Sequence, residues 1–295
     1  MDSGKVLLII NPAAGHRAAR RALYPLVQRL CAGGQMATVY ATSAPGQARG
    51  VAESRGGEFS RVICCGGDGT LNEVLDGLLR AGVRVPVGYV PTGTTNDLAH
   101  ALRLPTKLSR AIDLAVMGPA RDHDVGRFSD GHLFDYVASF GAFVQTAYAT
   151  PQSLKNALGR AAYFVCGLPE VFALRPRRLT LLADGRRLEG DFYFGSISNS
   201  TRIAGLLDLN RAGVAFDDGK LELLLIRRPP TPHALRSLRR GSFDERFFVF
   251  LRASEIEMHF TAPTEWTVDG ECAGRMTEIQ VRCLPRAVQL VAPAG

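Results

Sequence analysis

The chain has 295 residues, 46% hydrophobic and 21% charged, enough for two globular domains that each bury a core. No run approaches the ~18 apolar residues of a membrane span, and Met1-Asp2-Ser3-Gly4-Lys5 enters an apolar strand without the basic start of a signal peptide. The net charge of +7 invites a nucleic-acid or membrane reading, but no zinc-finger, basic-zipper or RNA-recognition signature supports nucleic acid, which leaves a solvated basic face or attraction to an anionic bilayer.

In chain order, Lys5–Ile10 reads as a strand, Ala18–Leu30 as a helix, Met36–Ala41 as a strand and Gly46–Arg55 as a helix. Arg61–Cys65 and Val85–Val90 follow as strands, each leading into a helical pattern. Continuous apolar runs in βαβα order predict a parallel sheet covered on both faces. Beyond about residue 125 the pattern changes. Leu179–Ala183 and Phe192–Ser198 read as strands around the Asp184-Gly185 turn, and Leu221–Ile226, Glu255–Phe260, Thr264–Val268, Glu278–Cys283 and Val288–Val291 as further strands. Ala161–Phe172 and Pro232–Arg239 read as helical interruptions. The expected architecture is an α/β domain over 1–126 and a mainly antiparallel β domain over 127–295, with the active site in the cleft between them. The six cysteines form no CxxC pair, and the adjacent Cys64 and Cys65 suit buried, reduced thiols in a cytoplasmic protein.

Three small-residue loops follow strands of the first domain. Asn11-Pro12-Ala13-Ala14-Gly15 alone is an ordinary turn. Gly66-Gly67-Asp68-Gly69 runs into a helix whose start carries Thr70-x-x-Glu73, the pattern of a capping box. Pro91-Thr92-Gly93-Thr94-Thr95-Asn96-Asp97 precedes a helix predicted over Leu98–Leu104, which Thr94 or Thr95 could cap. In a doubly wound sheet all three loops emerge at the carboxyl edge, where ligands bind. Helix N-termini beside glycines favour a phosphate, yet Asp68 would repel one directly; a divalent cation between them resolves the conflict. No GxxxxGK[ST] and no strand-linked GxGxxG is present, which argues against a P-loop or dinucleotide fold.

GGDGTLNEVLDGL, with NPAAG and PTGTTNDLA, resembles the diacylglycerol kinase catalytic family, which includes sphingosine and ceramide kinases and small bacterial lipid kinases. Asp124-Val125-Gly126, Asp217-Asp218-Gly219-Lys220-Leu221 and Val268-Asp269-Gly270-Glu271 extend the resemblance over nearly the whole chain. The resemblance implies transfer of the ATP γ-phosphate to a lipid hydroxyl, diacylglycerol first among candidates, by a cytoplasmic enzyme working peripherally at the inner membrane face. It implies that Asn11, Thr42, Gly66, Gly67, Asp68, Gly69, Thr70, Leu71, Asn72 and Thr94 contact the nucleotide. Asp68, Asp97 and Asp124 would organise Mg²⁺ through water, and Glu271 would be the general base. A second, structural metal would bind Asp218 with the carbonyls of Ala215 and Lys220. Asn199–Phe216 lacks the paired glycines that often precede this last turn in the family. GGDGT alone is shared with NAD kinases and phosphofructokinases, so an NAD or sugar-phosphate kinase is the rival enzyme, and a nucleotide-binding regulator without catalysis is the rival of another class. A homodimer is compatible with the sequence. The aromatics Phe243, Phe247, Phe248 and Phe250, set among arginines in Arg239–Arg252, read either as an interfacial membrane segment or as part of the β domain.

Overall fold

The computed structural model describes residues 4–94, 96–128, 130–141, 175–200, 202–203, 207–208, 214–228, 233–234, 242–269 and 271–293. It divides into two units, Met1–Asp124 with Arg286–Gly295, and Val125–Pro285. The helix expected over Ala161–Phe172, and nearly all of that over Pro232–Arg239, lie outside the described residues.

In the first unit β1 (Lys5–Ile10), β2 (Met36–Ala41), β3 (Arg61–Gly66) and β4 (Pro86–Pro91) are parallel in the order β2-β1-β3-β4. The helices are α1 (Ala18–Ala32), α2 (Gln47–Arg55), α3 (Asp68–Arg80), α4 (Asp97–Ala101) and α5 (Leu108–Met117). α1 buries Ala19, Ala22, Leu26 and Leu30, the three-to-four-residue spacing that keeps one face on the sheet. These residues share a core with Val6, Leu8, Ile10, Ile63, Cys65 and Val90 from the strands and Ile112, Ala115 and Val116 from α5.

The second unit begins within β5 (Ala120–Phe128), which pairs β6 (Leu133–Phe134), and continues through β7 (Val137–Gly141). β8 (Arg177–Ala183) and β9 (Arg186–Phe192) form a hairpin, and β10 (Phe194–Ser198) follows. β11 (Arg202–Ile203) and β12 (Leu207–Asp208) pair with each other alone. β13 (Leu221–Ile226), β14 (Phe248–Ala253), β15 (Glu255–Val268) and β16 (Glu271–Val291) complete the chain. The antiparallel order is β14-β13-β10-β7-β15, and β15 also pairs β16 and β8. Trp266 lies at the centre of this core, with the rings of Phe140, Phe128 and Phe260 at 5.1, 6.0 and 6.0 Å.

Several expectations need correction. Phe192–Ser198 is not the partner of Leu179–Ala183: β9 is, with Ala183 opposite Arg186, while β10 pairs β7 and β13. The turn at Asp184-Gly185 stands, both residues having positive φ. The strands expected at Glu255–Phe260 and Thr264–Val268 are one strand, β15, irregular between His259 and Thr264, where Pro263 interrupts the ladder. Glu278–Cys283 and Val288–Val291 are likewise parts of β16. The end of β16 does not belong to the second unit. Gln289 and Leu290 pair in parallel with Pro86 and Val87, adding a fifth strand to the first sheet, so the second unit ends at Pro285 rather than 295. Phe248, which is buried, and Phe250 lie on β14 of the second unit, Phe243 stacks on Phe250 at 4.5 Å, and Phe247 lies in the turn before the strand.

Thr70 and Glu73 do not form a capping box. α3 starts two residues earlier, at Asp68, and its first residue is preceded by Gly67 with no side-chain cap. The Glu73 carboxylate turns instead to α2, accepting the N–H groups of Gly46 (2.8 Å), Ala48 (3.1 Å) and Arg49 (3.4 Å). Those are donors that the start of α2 cannot satisfy within itself. Glu73→Ala should cost about 1–2 kcal/mol of stability, and Glu73→Gln less, both read from denaturant unfolding. Equal stability of Glu73→Ala and the parent would show that water replaces the carboxylate. Of the five described cysteines, Cys31 and Cys272 are exposed and Cys64, Cys65 and Cys283 buried; burial pushes the Cys65 thiol up to about 12. A thiol reagent should therefore modify Cys31 and Cys272 in the native protein, and the other three only after denaturation.

Candidate active site

β1, β3 and β4 run in parallel, so the loops that follow them leave from the same edge of the first sheet. They are interlocked by backbone contact and by a few polar side chains. A Cβ on Gly93 would come within 2.6 Å of the Gly67 Cα, so the loops after β3 and β4 pack main chain against main chain. Gly15 has φ +52, and a Cβ there would collide with the Thr92 carbonyl oxygen. Asn11 joins the first loop to the second: its Nδ2 donates to Thr70 Oγ1 (3.2 Å), its Oδ1 accepts the Ala13 N–H (3.0 Å), and its own N–H donates to the Cys65 carbonyl (2.9 Å). Thr42, just past β2, donates its N–H to the Ile10 carbonyl (2.9 Å), which sets it beside the start of the first loop.

Asp68 is the side chain on which the loop after β4 is fastened. Its Oδ2 accepts the Asp97 N–H at 3.0 Å, and the Tyr89 hydroxyl approaches its Oδ1 at 3.5 Å. Burial pushes the Asp68 carboxyl above the ordinary aspartate range, against the N–H groups of Asp97 and Leu98, the Tyr89 hydroxyl and the Asn96 N–H, which pull it down. α4 thus has no cap from its own N-terminal neighbour, Asn96, and takes its acceptor from α3. Asn96 has φ 51, the left-handed region that asparagine tolerates, and its amide closes the loop on the Gly93 N–H and carbonyl at 2.9 Å each. Thr95 lies outside the described residues, and Thr94 is exposed at the loop tip. Gly66, Gly67, Gly69, Thr70, Leu71 and Asn72 form the turn and first helical residues between β3 and α3; Leu71 is fully buried, so it can offer a ligand only its main chain.

The structure brings Asp68 and Asp97 into contact. Asp124, buried at the end of the first stretch of unit 1, accepts the Arg286 N–H on Oδ1 at 2.6 Å. Among the described residues no group of three or more His, Cys, Asp or Glu side chains could hold a metal ion. This donor set does not suit an all-protein cage, but it fits Mg²⁺ that arrives with nucleotide phosphates and keeps its waters, since such a site needs only one or two carboxylates.

The second expected metal does not fit. In the second unit Asp218 Oδ1 accepts the Lys220 N–H (3.1 Å), and its Oδ2 is paired with the Arg252 guanidinium. Arg252 stands opposite Glu222 across β13 and β14, its Nε 3.4 Å from the carboxylate of that fully buried residue. The Arg252 guanidinium therefore already partners one oxygen of the Asp218 carboxylate that a cation there would use. Glu271, the first residue of β16, is exposed and lies opposite Val268 across a two-residue turn.

Tyr89, Asn96 and Arg252 were not singled out in the sequence. A tyrosine near the carboxyl end of an otherwise apolar buried strand was a usable signal for Tyr89, because a buried hydroxyl requires a partner. The Arg252 pairing depends on the register of β13 and β14 and left no local trace.

A family model described as the diacylglycerol kinase catalytic domain matches residues 5–128, and one described as the YegS C-terminal NAD kinase beta sandwich-like domain matches residues 137–292. A protein named diacylglycerol kinase from Bacillus subtilis (strain 168) is 28% identical over 275 residues, covering 91% of this chain and 90% of the relative. One of the same name from Staphylococcus epidermidis is 27% identical over 274 residues, covering 91% and 86%. A crystal structure described as a diacylglycerol kinase from Bacillus anthracis str. Sterne shares the fold at a TM-score of 0.76 and 20% identity, covering 99% and 98%. Another chain from that organism gives 0.81 at 21% identity, covering 99% and 97%.

If Arg252 replaces a bound cation, millimolar EDTA should leave the thermal midpoint followed by Trp266 fluorescence unchanged. Arg252→Ala should destabilise by on the order of 2 kcal/mol, at or below the low end for a broken buried pair because Arg252 keeps some solvent. A midpoint that falls on chelation of the parent protein would mean that a metal does bind.

Proposed function

The chain belongs to the diacylglycerol kinase family and is a lipid kinase, and we propose that it transfers the γ-phosphate of ATP to the free hydroxyl of diacylglycerol, giving phosphatidic acid and ADP. The observation that carries this reading is the main-chain packing of Gly67 on Gly93, with Asp68 fastening the second of these loops to the first. Close-packed glycine backbones leave N–H groups and space for phosphate oxygens, and the start of α3 adds the positive end of a helix. In this reading Asn11, Thr42, the Gly66–Asn72 turn and Thr94 hold ATP.

The lipid hydroxyl oxygen attacks the γ-phosphorus, the bond from that phosphorus to the β–γ bridging oxygen breaks, and ADP leaves with the electron pair. The hydroxyl proton passes to the Glu271 carboxylate. Mg²⁺, when bound, neutralises charge on the phosphates, and Asp68, Asp97 and Asp124 would hold it through water. Asp68 has a second duty, because the carboxylate that would face the metal also fixes the backbone of Asp97. Its loss should therefore damage nucleotide binding as well as turnover. The lipid acceptor is taken from the inner face of the membrane by an enzyme that resides in the cytoplasm and touches the bilayer peripherally. No described helix is long and apolar enough to cross a membrane.

The test is transfer of label from γ-labelled ATP to a panel of diacylglycerol, sphingosine, phosphatidylglycerol and NAD. Diacylglycerol should be the best acceptor. Asp68→Ala should lose transfer and bind nucleotide weakly. Glu271→Ala should lose about 10²–10⁴-fold in kcat while still binding nucleotide. Full turnover by Glu271→Ala would mean that another group takes the proton, and labelling of NAD in place of lipid would sink the lipid assignment for this chain.

A further inference from the structure

The residue two before Glu271 is held in a way that a hairpin turn does not require. Asp269 and Gly270 join β15 to β16, and Val268 pairs with Glu271 across them. Asp269 has φ 48, as the first central residue of a tight hairpin turn must, and aspartate, asparagine and glycine all tolerate that region. Its side chain, however, does not close its own turn. It reaches to the residues that lead into β7, where Oδ1 accepts the N–H groups of Tyr136 (3.2 Å) and Val137 (2.9 Å) and Oδ2 accepts that of Asp135 (3.2 Å). The Asp269 N–H donates in return to the Val137 carbonyl at 2.8 Å. Three consecutive peptide donors thus converge on one carboxylate.

This clamp is part-buried. Asp135 itself is 1% exposed. Burial pushes the Asp269 carboxyl up, while the N–H groups of Val137 and Asp135, the Asp135 carboxyl and the Tyr136 N–H pull it down. The clamp extends the β7–β15 ladder by one step. Ala138 pairs Val268 and Ser139 pairs Thr267, with the Ser139 and Thr267 hydroxyls 2.9 Å apart, and Asp269 then grips the three residues before Ala138. The hairpin end is thereby pinned to β7 at the residue that follows β15, and Glu271 lies beyond it at the start of β16.

We infer that Asp269 is a positioning residue for Glu271: by binding the Asp135–Val137 peptides it fixes where the β15–β16 turn delivers the Glu271 carboxylate. The inference rests on the reading of Glu271 as the base. Displacing a reacting group by ~1 Å costs on the order of 10²-fold in rate, so the effect is large. It also acts on turnover rather than on ATP binding, since the clamp lies wholly in the second unit.

Asp269→Gly removes the carboxylate without straining the turn, and Asp269→Asn keeps one acceptor oxygen. Each is made in the parent and in Glu271→Gln, and kcat and KM for ATP are measured with a short-chain diacylglycerol, near-UV circular dichroism confirming that the Trp266 core is intact. Asp269→Gly should lower kcat about 10²-fold with KM for ATP unchanged. Asp269→Asn should recover most of the loss. In the Glu271→Gln background neither should lower the residual rate further. An equal proportional loss in both backgrounds would show a merely structural role and overturn the inference, as would an unchanged kcat in Asp269→Gly. Should Asp269→Gly fail to fold, the same comparison between backgrounds with Asp269→Asn decides, a smaller loss confined to the Glu271 background being expected. Full activity in Glu271→Gln would overturn the base reading and the inference together, whereas an inactive Glu271→Gln beside a fully active Asp269→Gly overturns the inference alone.

Discussion

Peptide N–H groups that no helix or ladder satisfies need an acceptor, and at several places among the described residues the acceptor is a carboxylate supplied from another segment. α3 carries two of them. Asp68 takes the start of α4 and Glu73 the start of α2, so one helix fastens the elements on either side of it. Asp124 takes the N–H of Arg286, Asp184 those of Ser254 and Glu255, and Asp269 those of Asp135 to Val137. Charge-assisted bonds of this kind are stronger than neutral ones, and each joins residues far apart in sequence. The loops of the candidate site are fastened by these bonds, and their glycines pack closely.

The same economy explains how one aspartate can sit among phosphate-binding glycines. An isolated carboxylate at Asp68 would repel a phosphate. Here its charge is partly taken up by the Asp97 N–H and the Tyr89 hydroxyl. In the second unit the balance is struck differently. Arg252 from the adjacent strand is paired with Asp218 and lies 3.4 Å from the buried Glu222 carboxylate.

Strands that are continuous apolar runs were legible in the sequence to the residue: Lys5–Ile10, Met36–Ala41 and Leu221–Ile226. So was the convergence of three loops, because it follows from strand–loop–helix order alone. What escaped were features set by partners far away. Thr70-x-x-Glu73 has the local form of a capping box, but the Glu73 carboxylate finds donors more than twenty residues upstream, and α3 begins at Asp68. β9, with alternate residues facing solvent, carried too weak an apolar signal to be seen. β15 and β16 were each read as two strands because Pro263 and Pro285 break the pattern without ending the strand. Of the candidate site, the residue types were legible, whereas the duties of Asp68, Asp269 and Arg252 toward their neighbours required the register of the sheets.

β16 has a consequence for how the chain is made. The fifth strand of the first sheet follows the second unit in the chain, pairing with Pro86 and Val87, while everything from Val125 to Pro285 belongs to the other unit. A ribosome must therefore finish the second unit before the first can close the β4 edge of its sheet. Until then β4 presents unpaired peptide groups, and the nascent first unit is an incomplete product held open by its own topology. The Asp124–Arg286 contact likewise forms only after the whole of the second unit has been made.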